Sequence, residues 1–118
     1  MKKVLLSLVV MLAFMTNAIA NTLTIYNFTP CFYCISTQGG YIFIGPGTMG
    51  AVYTGAYSSA KVVNDATSPA GPWTGQQVNV GPGASSGSSA AGVACNNGNP
   101  FTVFWSPNAS GDITLIIN

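Results

Sequence analysis

Cys31-Phe32-Tyr33-Cys34 places two thiols at CxxC spacing, and Cys95 supplies a third. Three chemistries use such a set. A redox site of thioredoxin type needs the pair at a helix N-terminus in a βαβ setting, whereas the flanks here are strand-like. A zinc site needs a fourth ligand, and the chain has no His or Glu and no fourth Cys. A structural disulfide needs only one partner, so the expected arrangement is a bridge from one member of the pair to Cys95, leaving one thiol over. Cys31 and Cys34 are three residues apart and so point to opposite faces of an extended strand. Cys34 lies within the apolar run rather than at its start and is the favoured partner of Cys95. A bridge closing about 60 residues contributes roughly 4 kcal/mol in the chain-entropy account.

The remaining chemistry is sparse. Ser58-Ser59-Ala60-Lys61 matches S-x-x-K, in which a Lys amine activates a Ser one helical turn away. The segment is not helical in pattern and the companion motifs are missing, so the match is read as chance. Asp65 with Asn64, or Asp112 with Asn108, offers oxygen ligands, but a calcium site takes six to eight oxygens. The aspartates are read as caps on turn backbone, and no metal or cofactor is expected. Asn27-Phe28-Thr29 and Asn108-Ala109-Ser110 are N-x-S/T sequons, which matter only in a eukaryotic secretory pathway. The aromatics offer more. Trp73, with Gln76 close by in the Ala70–Gln77 loop, is the candidate for stacking a sugar ring. Trp105 alternates with Phe101 and Val103 and is expected in the core.

Composition narrows the function classes further. The 118 residues include three Lys, two Asp and no Arg, Glu or His. Without histidine there is no imidazole base and no Ser-His-Asp triad. Without arginine there is no bidentate phosphate clamp, and three lysines build no basic patch for nucleic acid. The expectation is a protein that is not an enzyme and does not bind nucleic acid.

Met1-Lys2-Lys3, the apolar run Val4–Met15 and Ala18-Ile19-Ala20 have the form of a secretory signal peptide of bacterial type, with cleavage expected after Ala20. The apolar run is shorter than a bilayer span, and no later segment is long enough to span as a helix. The expected location is secreted, cell-surface or periplasmic, where disulfides form. Removing residues 1–20 from the 118 leaves 98 residues whose charges are Lys61, Asp65 and Asp112 alone. That length fits one domain, 21–118.

The elements that must position these residues are strands. Thr22–Tyr26, Phe32–Ser36, Tyr41–Ile44, Ala51–Thr54, Val62-Val63, Gln77–Val80, Phe101–Trp105 and Ile113–Ile117 are rich in β-branched and aromatic residues. Turn formers bound each of them. The pattern predicts an all-β fold, a small antiparallel sandwich or open barrel of about seven or eight short strands. Gly45-Pro46-Gly47 and Gly81-Pro82-Gly83 follow similar strand ends. They mark equivalent turns in two sheets or are simply a common turn used twice, the second being favoured. Residues 81–92, GPGASSGSSAAG, read as a flexible Gly/Ser-rich loop.

Near-neutral surfaces lack the repulsion that keeps proteins apart, and charged gatekeepers on edge strands are nearly absent. Ile113–Ile117 closes its own sandwich or, less favoured, pairs with a neighbour's edge. The expectation is a secreted extracellular structural or adhesive protein acting through surface contacts, with itself or a cell-surface or matrix component as partner. The alternative is a small carbohydrate-binding module using Trp73 and Gln76, with a glycan as partner.

Overall fold

The computed structural model describes residues 21–64 and 75–118. The expected signal segment, Asp65 and Trp73 lie outside the described residues. Nine strands follow in order: β1 Asn21–Asn27, β2 Tyr33–Thr37, β3 Gly40–Ile44, β4 Met49–Gly55, β5 Ala60–Asn64, β6 Gln77–Val80, β7 Ser86–Ser88, β8 Thr102–Pro107 and β9 Ile113–Ile117. One 3₁₀ turn, Ala94–Asn96, precedes β8, and no α-helix occurs among the described residues.

The strands form a five-stranded sheet, β4-β1-β9-β8-β7, and a four-stranded sheet, β3-β2-β5-β6. All pairs are antiparallel except β1 with β9, which is parallel. The all-β sandwich expectation therefore holds, with one parallel pair in a fold expected to be antiparallel throughout. Period-2 patterning explains the layering, because alternate residues face one side. Leu23 and Ile25 of β1, Val103 and Trp105 of β8, and Leu115 and Ile117 of β9 point inward from one sheet. They meet Tyr33, Ile35, Ile42, Ile44, Val62, Val78 and Val80 from the other. Tyr33 and Phe101 pack with tilted rings 4.9 Å apart, the preferred aromatic geometry. Trp105 is buried, as its alternation with Phe101 and Val103 required.

Two expectations are corrected, and one is borne out. The stretch 81–92 is not loop throughout. Gly81 and Ala84 bridge across a tight turn, and Ser86–Ser88 form β7 on the edge of the five-stranded sheet. Small side chains hid this strand, since its pairing with β8 is made by backbone. Ile113–Ile117 closes its own sandwich, as favoured, with β9 between β1 and β8 in the middle of its sheet. The two Gly-Pro-Gly turns are equivalent after all. Each carries the chain from an edge strand of the four-stranded sheet to an edge strand of the five-stranded one, β3 to β4 and β6 to β7.

A buried polar knot fixes the crossing from β1 to β2. The Asn27 side-chain amide donates to the carbonyls of Cys31 (2.9 Å) and Gly45 (3.0 Å). Its Oδ1 accepts from the Thr29 N–H (3.0 Å) and hydroxyl (2.8 Å). Thr29 Oγ1 and the Tyr33 hydroxyl share a 2.9 Å hydrogen bond. Burial pushes the Tyr33 phenol up from its ordinary value, partly offset by that contact. No buried side-chain polar atom lacks a partner among the described residues, as the cost of a stranded buried group demands.

Candidate functional site

The disulfide joins Cys31 to Cys95, with Cα atoms 5.3 Å apart, so Cys34 is not the bridging member of the pair. Its position inside the run is what disqualifies it. Cys34 is locked in the ladder between Phe43 of β3 and Val63 of β5. It alternates with Tyr33 and Ile35, which face the core, and forms a separate small buried cluster with Val63. Cys31 precedes the strand, where the chain is free of the ladder and can meet Cys95 in the 3₁₀ turn. Asn64 donates to the Cys95 sulfur at 3.3 Å. Cys34 is a free, buried thiol, and burial pushes its pKa up, the opposite of an activated nucleophile.

The weaker motifs resolve into backbone support. Ser58 precedes β5, while Lys61 lies within it, so the S-x-x-K spacing spans extended chain and not a helical turn. Asp112 Oδ1 accepts the Thr22 N–H at 2.9 Å. Asn108 Oδ1 accepts the N–H groups of Ser110 and Asp112, both at 3.0 Å. The Asn27 sequon is closed to modification, its amide being buried and doubly bonded. Among the described residues no group of three His, Cys, Asp or Glu could hold a metal ion. Gln76 is tied to the scaffold, its Oε1 accepting the Ala91 N–H at 3.1 Å. Its carbonyl accepts the Asn64 N–H at 2.9 Å. The structure thus brings together Cys31 and Cys95, and holds Gln76 in a structural hydrogen bond.

Two surfaces stand out among the described residues, one on the outward face of each sheet. On the five-stranded sheet the register aligns Met49, Tyr26, Ile116 and Phe104 across β4, β1, β9 and β8. A bulge makes this alignment possible. Gly50, at φ +74°, is the extra residue that lets Met49 oppose Tyr26, a left-handed position suited to glycine. The next row is Val52, Thr24, Thr114 and Ser106. Phe28 stacks on Tyr26 with centroids 6.2 Å apart. Met49 and Val52 are 63 % and 61 % exposed, and Phe28 and Phe104 are also exposed. Neither row contains an ionisable group other than the Tyr26 phenol. An apolar ridge flanked by hydroxyls thus spans about 14 Å at the usual strand spacing.

One row on the outward face of the four-stranded sheet is polar, beside an apolar row of Phe43, Cys34 and Val63. Ser36, Lys61 and Asn79 align across β2, β5 and β6, and with Gln38 and Ser59 they line an open groove of about 510 Å³. Sequence reasoning missed both rows, because register between strands cannot be read from the alternation along one strand.

No protein-family model matches this chain, and neither a curated protein nor a solved structure matches it.

Proposed function

We propose that this chain is a secreted, non-enzymatic protein that acts through surface contacts, as an extracellular structural or adhesive component. The observation that carries the reading is the uncharged ridge Met49–Tyr26–Ile116–Phe104 on the outward face of the five-stranded sheet. Met49 and Phe104 are exposed, Tyr26 and Ile116 between them partly so, and a continuous apolar row of this kind is a mark of an interaction site. A neutral sheet face with a hydroxyl-bearing second row packs on another such face without desolvating charges, a cost that opposes association. The export reading rests on the signal-like residues 1–20. The Cys31–Cys95 bridge is compatible with an oxidising compartment. No helix among the described residues is long and apolar enough to cross a membrane.

The test is sedimentation velocity on residues 21–118 over a wide concentration range, with retention on whole cells or matrix measured in parallel. Self-association or retention that is lost in Met49→Lys plus Val52→Lys, and kept in the turn variant Ser110→Lys, supports the reading. A monomer at all concentrations with no retention overturns it.

A further inference from the structure

We infer that the groove on the outward face of the four-stranded sheet is a binding site for an oligosaccharide that carries a carboxylate. This goes beyond the contact face on the other sheet and stands independently of it. Ser36 opposes Lys61, and Lys61 opposes Asn79, so a hydroxyl, an ammonium and a carboxamide stand side by side at the strand spacing of about 4.8 Å. None of these three side chains has a hydrogen-bond or ionic partner among the described residues. The polar side chains at the rim, in contrast, are held in place. Gln38 Nε2 donates to Ser59 Oγ at 2.7 Å, and Gln38 Oε1 accepts the N–H groups of Ser58 and Ser59 at 3.2 and 3.3 Å. Thr37 Oγ1 donates to the Gly40 carbonyl at 2.8 Å and accepts the Gly39 N–H at 3.1 Å. The rim is therefore preorganised while the floor presents free donors and acceptors, the combination that lowers the ordering cost of binding.

The residue types choose the ligand. Lys61 is the one cation among the described residues, and no described carboxylate lines the groove. A polyphosphate or nucleic acid would need several cations. Hydroxyls and amides around one ammonium match a chain of ring hydroxyls with a carboxylate where it meets Lys61. The volume of about 510 Å³ is within the usual range for a ligand site. The half-exposed Tyr41 opposes Ser36 on the next strand and extends the row to about 14 Å, the reach of a short oligosaccharide. Lys61 takes the carboxylate, and Ser36 and Asn79 take neighbouring hydroxyls.

The experiment is an amide-resolved NMR titration of residues 21–118 with trigalacturonate, with maltotriose and triglutamate as comparisons. Expected are saturable shifts at Ser36, Gln38, Ser59, Lys61 and Asn79 with trigalacturonate. Affinity falls about fivefold in Lys61→Gln, the size of one solvent-exposed charge contact, and also falls in the neutral variant Asn79→Ala. Maltotriose binds more weakly than trigalacturonate and is indifferent to Lys61→Gln. Absence of shifts at millimolar ligand, equal binding of triglutamate, or no effect of Lys61→Gln overturns the proposal. Both variants alter solvent-accessible positions, and unchanged spectra away from the groove verify their folds.

Discussion

Asn27→Ala tests the reasoning behind the fold most sharply. The Asn27 side chain makes four hydrogen bonds in a fully buried site. Truncation removes all four, but their loss is not equally costly. The Gly45 carbonyl keeps a second partner in the Thr48 hydroxyl at 2.7 Å, and the Thr29 hydroxyl keeps its contact with Tyr33. The Cys31 carbonyl and the Thr29 N–H are left without a side-chain partner. Each stranded buried group costs about 1–3 kcal/mol, so the expected loss is about 3 kcal/mol. A domain of this length has only about 5–15 kcal/mol in total. The assay is urea unfolding followed by Trp fluorescence and circular dichroism, with the slope unchanged and the midpoint lowered. Heating should show a melting temperature lower by about 15 °C. Asn108→Ala is the internal comparison, since Asn108 also accepts two backbone N–H groups but in an exposed turn. Water replaces that side chain, and the loss should stay below about 1 kcal/mol. Equal losses for the two variants, or less than about 1 kcal/mol for Asn27→Ala, would refute the claim that burial of this knot holds the crossing together.

Other outcomes follow from the same structure. Cys95→Ser removes a bridge of sequence separation 64 and should lower stability by about 4 kcal/mol. A mass shift on alkylation under denaturing, non-reducing conditions should show one reactive thiol, Cys34. In the native state that thiol should resist alkylation until the protein unfolds. Because burial raises the Cys34 pKa, both folded and unfolded chains keep the proton below the ordinary thiol range, and the contribution to stability is whole there. As pH rises through that range the unfolded chain ionises first and stability falls. Cys34→Ala should flatten that alkaline slope, measured as urea midpoints on both sides of the thiol range. Gly50→Ala forces a β-carbon into a left-handed position at φ +74°. It should cost about 1 kcal/mol in the same unfolding assay and disturb the amide signals of Met49 and Tyr26.

Runs of β-branched and aromatic residues bounded by turn formers made eight of the strands legible. Ser86–Ser88 carried no such signal, because its place on the sheet edge is fixed by backbone pairing with β8. The parallel contact of β1 with β9 was equally hidden, as alternation reports a face and not a direction. Cys34 stands inside the apolar run, the position the pattern favours for a bridge, and the ladder is what keeps it from reaching Cys95. The candidate surfaces were the least legible part. Ser36, Lys61 and Asn79 lie 25 and 18 residues apart in sequence and become neighbours only once β2, β5 and β6 are paired in register. Met49, Tyr26, Ile116 and Phe104 come from four strands, and their alignment depends on one bulge.

The reading of the chain as a contact protein rests on that ridge, and sedimentation velocity of residues 21–118 with and without Met49→Lys plus Val52→Lys tests it most directly. The account predicts concentration-dependent association of the natural sequence and a monomer in the double variant, both fully folded. Identical monomeric sedimentation of the two proteins across the whole concentration range, with no retention of either on cells or matrix, would contradict it.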